Sequence, residues 1–167
     1  MRAVLSIGGN IGDTAALLGD VARDFAAETV GRSSLYATPP WGGVAQDDFL
    51  NAIIVADVDM APMDVLRRCQ GLEQAADRVR EVRWGPRTLD VDVVTLVDGG
   101  RELIDDDPVL TLPHPRAHLR AFVLVPWLEV DPDARLGGRP VADLVAGLDP
   151  ADVAAVRRTD AAWPEGI

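Results

Sequence analysis

The chain has no lysine: all 16 of its basic residues are arginine. A Walker-type P-loop, whose lysine reaches the terminal phosphates of a nucleotide, is thereby excluded, and so is Schiff-base chemistry on a lysine amine. Any phosphate must be held by arginine, whose planar fork grips two oxygens at once. Cysteine is nearly absent too. Cys69 stands alone, so no intramolecular disulfide can form and a reducing compartment is expected. No stretch approaches the ~20 apolar residues of a membrane-spanning helix, and the opening MRAVLSIGGN is too short an apolar run for a secretory signal. A cytoplasmic chain without a membrane partner is the expectation. Positive charge is scarce: 27 acidic residues against 16 basic ones leave a net charge of −11, which repels nucleic-acid phosphates over most of the surface. What remains is an ordinary globular composition, 48% hydrophobic and 26% charged over 167 residues, sufficient for one core and, by size, a monomer.

RAVLSI at 2–7 reads as a short buried strand ending at Gly8 and Gly9, where the backbone is free to turn. Asp13 is placed to cap a helix whose apolar face is Leu18, Val21, Ala22, Phe25 and Ala26. SSLYAT at 33–38 and FLNAIIVADV at 49–58 read as paired strands joined by PPWGGVAQDD. A second helix opens at Pro62 and runs through Val65, Leu66, Cys69, Leu72, Ala76 and Val79. LDVDVVTLV then has the β-branched content of a central strand, turning at residues 98–100. The order strand, helix, strand, strand, helix, strand predicts an α+β fold: a ferredoxin-like split βαβ, an antiparallel sheet with helices packed on it. AFVLVPWLEV at 121–130 reads as core, either a short helix broken near Pro126 or a strand. ADLVAGL and ADVAAVRR read as short terminal helices, and no internal repeat is present.

RWGPRTLDVDVV, residues 83–94, carries the chemistry. In a strand, Asp90 and Asp92 project from one face, roughly 7 Å apart at their α-carbons. Two like charges so placed call for a cation, and hard carboxylate oxygens suit Mg²⁺, which keeps waters and substrate phosphates as its other ligands. An isolated D-x-D is equally a solvated sheet face or a partner for arginines. Arg78, Arg80, Arg83 and Arg87, however, crowd just upstream with only Asp77 and Glu81 beside them. Arginine and metal together neutralise a triphosphate. ATPPWGG at 37–43 with FLN at 49–51 supplies aromatic faces for stacking, and Asn51 offers a donor and an acceptor for a heterocycle edge, though the same residues suit a surface loop. His114, between two prolines, can donate to a phosphate or be structural; His118 reads as surface.

Four separated motifs, SIGGNIGD, ATPPWGG…DFLNA, WGPRTLDVDVV and LPHPRAHLRAFVLVP, resemble the 6-hydroxymethyl-7,8-dihydropterin pyrophosphokinase family of folate biosynthesis across about residues 1–132. The resemblance implies transfer of pyrophosphate from ATP to the hydroxymethyl group of the dihydropterin, releasing AMP, with two Mg²⁺ ions. It implies a single pyrophosphokinase domain over 1–167, in which 132–167 carry little information. Asp90 and Asp92 fall at the metal-ligand positions, and Arg80 and Arg87 join them as catalytic groups. Gln70, Glu73, Arg78, Arg80, Trp84, Arg87, Thr111, His114 and Arg120 fall where the family contacts ATP. Thr38, Pro40, Trp41, Phe49, Asn51 and Phe122 fall where it holds the pterin. The chain departs from the family pattern at Gly9, usually serine, at Trp41, Phe49, Val109 and Pro115, and by one residue fewer between Arg80 and Trp84. PPWGG and DRVREVRWG lie where closing loops would exclude water. Two other readings of the same residues remain open: nucleotidyl transfer on a palm-like fold, which releases pyrophosphate, and a regulatory module in which D-x-D and the arginines are surface ion pairs.

Overall fold

The computed structural model describes residues 1–40, 45–76 and 88–167. Its elements in chain order are β1 (Arg2–Gly9), α1 (Thr14–Asp24), β2 (Thr29–Arg32), β3 (Tyr36–Thr38), β4 (Phe49–Asp57), α2 (Pro62–Ala75) and β5 (Asp90–Asp98). Then follow β6 (Arg101–Glu102), β7 (Asp105–Asp106), β8 (Thr111–Leu112), a 3₁₀ turn (Ala117–Leu119) and α3 (Ala121–Val130). β9 (Arg135–Leu136), β10 (Arg139–Pro140), α4 (Val141–Ala146), α5 (Pro150–Ala155) and β11 (Arg157–Arg158) complete it. The main sheet runs β11-β3-β4-β1-β5-β6, with β2 also paired to β4, and its pairings are antiparallel. The central order β3-β4-β1-β5 is that of the expected split βαβ, each crossover helix skipping one strand.

Alternation along β1 sorts the core. Ala3, Leu5 and Ile7 join Ala52, Ile54, Val91 and Val93 under α1 and α2, whose Leu18, Val21, Val65 and Cys69 are buried there with Phe25, just past the end of α1. Val4, Ile53, Val55 and Val94 face the other way and pack against Val123, Leu124 and Trp127 of α3 and Val141 and Leu144 of α4. The helix layer on this second face reaches only part of the strand length. Ser6, Gly8, Asp90 and Asp92 lie beyond it, and a cavity opens there.

Asp13 caps α1, accepting from the Ala16 amide, and Pro62 occupies the first turn of α2. Other expectations need correction. β1 does not end before Gly8; it stays paired through Gly9, opposite Asn51 and Leu50. The strand expected at 33–38 is shorter, Tyr36–Thr38; before it the Ser33 amide still donates to the Ile53 carbonyl, while its hydroxyl, in place of a backbone carbonyl, accepts from the Ile53 amide. Ala26 is exposed, since α1 ends at Asp24. α3 continues unbroken past Pro126, where burial of Val123, Leu124, Pro126 and Trp127 offsets the missing amide bond. Val79, expected in the second helix, lies outside the described residues.

The C-terminal segment, read as helical through Arg158, instead leaves α5 to form β11 against β3. From there Trp163 donates its indole N–H to the Ser33 carbonyl at 2.9 Å. Arg32 stacks over the Trp163 ring at 5.3 Å and donates to a backbone oxygen of Ile167. A side chain at Gly19 would meet Pro164 at 2.7 Å, so the tail packs directly on α1. Trp163→Ala is expected to cost about 2 kcal/mol, read as a lower urea midpoint at unchanged slope.

Candidate active site

The register builds the site. On β1, Ser6 lies opposite Asp92 of β5 on one side and Ile53 of β4 on the other; Gly8 lies opposite Asp90 and Asn51. Directly opposed residues share a face, so one surface carries both aspartates, Ser6 and Asn51. Thr38, Pro39, Phe49, Arg120 and Phe122 complete the wall of the cavity. Arg120 and Phe122 arrive from the start of α3, the end of that helix nearest the aspartates.

Asn51 is 5% exposed and donates to the Thr38 hydroxyl at 2.7 Å. That bond fixes the amide with its oxygen over Gly8. A β-carbon at Gly8 would stand 2.3 Å from Asn51 Oδ1 and 3.2 Å from the Leu50 carbonyl oxygen. Gly8 is therefore needed for close approach rather than for a turn.

Arg120 donates to Asp92 Oδ2 at 3.3 Å, and its guanidinium lies 5.6 Å from the Phe122 ring centre. Burial pulls the Arg120 pKa below its ordinary value, opposed by Asp92 and Asp90; a guanidinium nonetheless keeps its proton. His114 Nε2 is 3.8 Å from the same Asp92 oxygen, while its Nδ1 accepts from the Arg116 amide. An accepting Nδ1 requires the neutral ring. Burial, with the Arg120 charge nearby, lowers the His114 pKa to about 4, although Asp90 favours the proton. The unfolded chain takes up this proton near pH 6.5 and the folded one only near 4, so the stability that depends on a neutral ring is full above pH 6.5 and is lost as pH falls towards 4. In divalent-free protein, thermal melts between pH 6.5 and 4 should show a slope that His114→Gln flattens.

Glu73 does not border the cavity. Its carboxylate accepts from the Val91 amide at 2.9 Å, tying α2 to β5 between the two aspartates. Gln70 is exposed on α2, and Thr111, on β8, donates its hydroxyl to the Asp107 carbonyl; neither is in the cavity wall. Pro39, not Pro40, lines it. His118 is exposed. Trp41, Arg78, Arg80, Arg83, Trp84 and Arg87, with most of both supposed closing loops, lie outside the described residues. Asn10 donates to Gln46 Oε1 and the Asp47 carbonyl, linking the end of β1 to the segment leading into β4. Ser6, Gly8 and Pro39 were not among the sequence-derived site residues. Ser6 had one visible signal, a hydroxyl inside the apolar run RAVLSI.

Residues 4–132 match the family described as 7,8-dihydro-6-hydroxymethylpterin-pyrophosphokinase, HPPK. The chain belongs to this family. A protein of Mycobacterium tuberculosis (strain ATCC 25618 / H37Rv) named 2-amino-4-hydroxy-6-hydroxymethyldihydropteridine pyrophosphokinase is 48% identical over 166 residues, covering 93% of this chain and 88% of its own length. A protein of the same name from Methylorubrum extorquens is 45% identical over 156 residues, covering 91% of this chain and 96% of its own. Among solved structures, HPPK-DHPS of Plasmodium falciparum with pteroate matches with a TM-score of 0.60 at 13% identity, over 86% of this chain and 41% of that one. The chain thus spans about two fifths of that protein, and the likeness is one of fold. HPPK membership closes the two rival readings left open by the residues alone.

Proposed function

We propose that the chain transfers pyrophosphate from ATP to 6-hydroxymethyl-7,8-dihydropterin, giving AMP and the pterin diphosphate in folate biosynthesis. The observation that carries this, in a chain of the HPPK family, is that one cavity joins a wall of aromatic, hydroxyl and amide side chains to a pair of carboxylates and a half-buried arginine. The wall is Thr38, Phe49, Asn51 and Phe122; the charged groups are Asp90, Asp92 and Arg120. In the reaction the hydroxymethyl oxygen bonds to the β-phosphorus, the bond from that phosphorus to the α-phosphate oxygen breaks, AMP leaves, and the hydroxyl proton passes to solvent.

Asp90 and Asp92 suit Mg²⁺ in their hard oxygens and their placement on one strand face. Two carboxylates do not fill the coordination shell of Mg²⁺, so an ion held there would take its remaining ligands from water and phosphate. Two Mg²⁺ bound there would supply charge neutralisation and orientation of the phosphates. Asn51 and Thr38 orient the pterin edge, Phe49 and Phe122 cover its faces, and Arg120 holds Asp92 and faces the phosphate chain. Arg80 and Arg87 are assigned the charge developing on the transferred group. Gln70, Glu73, Arg78, Trp84, Thr111 and His114 are assigned to ATP, with Glu73 acting through its brace on β5. Pro40 and Trp41 are assigned to the pterin side.

No helix among the described residues is long and apolar enough to cross a membrane. We assign the enzyme to the cytoplasm as a monomeric, single-domain protein. Incubation with ATP, Mg²⁺ and the hydroxymethyl-dihydropterin should release AMP in step with pterin diphosphate. Release of ADP or of free pyrophosphate, or equal turnover in EDTA, would overturn the reading.

A further inference from the structure

Five polar side chains are buried among the described residues: Ser6, Ser33, Thr38, Asn51 and Thr95. Four have partners. Ser33 bonds the Ile53 amide and Ser34 carbonyl, Thr38 and Asn51 bond each other, and Thr95 donates to Glu102 at 2.8 Å. The Ser6 hydroxyl is the exception: only 7% exposed, it makes no hydrogen bond among the described residues, and it borders the cavity. A buried hydroxyl without a partner is costly, and such a group in a native fold needs an explanation.

Position supplies one. Ser6 lies on the site face of β1, flanked by the fully buried Ile53 and by Asp92, one step along the same face from Gly8, over which the Asn51 oxygen sits. A phosphate oxygen there would meet the Asp92 carboxylate. An uncharged ring edge would not, and a hydroxyl can give or accept a hydrogen bond as that edge requires. We propose that Ser6 is a specificity-determining residue of the pterin subsite, its hydroxyl completing with Asn51 the polar floor that reads the heterocycle edge. The proposal rests on the pyrophosphokinase reading above.

The test is Ser6→Ala. Binding of 6-hydroxymethylpterin is titrated by its own fluorescence in Mg²⁺ and α,β-methylene-ATP, so that no turnover intervenes. Pterin affinity should fall about five- to tenfold, the worth of one hydrogen bond, and the KM for dihydropterin should rise to match. Affinity for the ATP analogue and kcat should stay within about twofold. The melting temperature should hold or rise, because the variant removes an unpaired buried hydroxyl. A merely structural serine would instead lower the melting temperature and leave pterin affinity unchanged, and that result overturns the proposal. A shift confined to the ATP analogue would overturn it too. Failure of the wild-type protein to release AMP would sink the functional reading itself and is scored separately.

Discussion

Asp92→Asn is expected to lower pyrophosphoryl transfer by at least about a thousandfold while leaving the fold intact. Asparagine keeps the shape and an oxygen that can still accept from Arg120 Nη1, now 3.3 Å from Asp92 Oδ2. It removes the charge that a magnesium ion needs, and charge stabilisation of a transferring phosphoryl group carries several kcal/mol in such sites. A thousandfold loss corresponds to about 4 kcal/mol of transition-state stabilisation. Stability should change far less. Arg120 remains beside Asp90, whose charge also favours the guanidinium, so the melting temperature should move by only a few degrees. AMP release followed against magnesium concentration, with a circular-dichroism melt on the same preparation, checks both halves. Near-normal turnover in the variant would show that Asp92 holds no essential ion.

How far the site was legible in the sequence follows from how local each signal is. Asp90 and Asp92 were readable as one face because strand alternation is a property of the backbone, independent of neighbours. The split βαβ order was readable for a similar reason: each helix announces itself through its own period and caps, as with Asp13 and Pro62. What the sequence concealed depends on pairing across the chain. Gly8 reads as a turn residue until register sets it opposite Asn51, when the missing β-carbon becomes the space the amide occupies. Ser6 becomes a site residue only when β5 is laid beside β1. Glu73 lies near the nucleotide positions by motif, yet in the structure it satisfies the Val91 amide of β5, on a side that no strand among the described residues covers. The short β11 was masked by the apolar, alanine-rich ADVAA before it; two arginines took the edge of the sheet beside β3 because that edge stood open.

Gly8→Ala is the second large effect, and it tests the pterin wall through its supports. The added methyl would stand 2.3 Å from Asn51 Oδ1, closer than any real contact, with the Leu50 carbonyl oxygen 3.2 Å away. Backbone cannot retreat, because Gly8 is paired on both sides, to β4 and to β5. The Asn51 amide must therefore turn, giving up its 2.7 Å bond to Thr38 and burying polar atoms without partners, at about 2–3 kcal/mol. The KM for dihydropterin should rise at least about thirtyfold, with the KM for ATP little changed. The double variant Gly8→Ala/Asn51→Ala separates the two consequences. Removing the amide relieves the collision, so most of the lost stability should return in urea melts, while pterin recognition stays lost because the group that reads the ring edge is gone. If the double variant recovers pterin affinity along with stability, Asn51 is a packing residue and not a recognition element. If neither recovers, the strain lies in the strand itself and the close approach of Gly8 to Asn51 is not what shapes the wall.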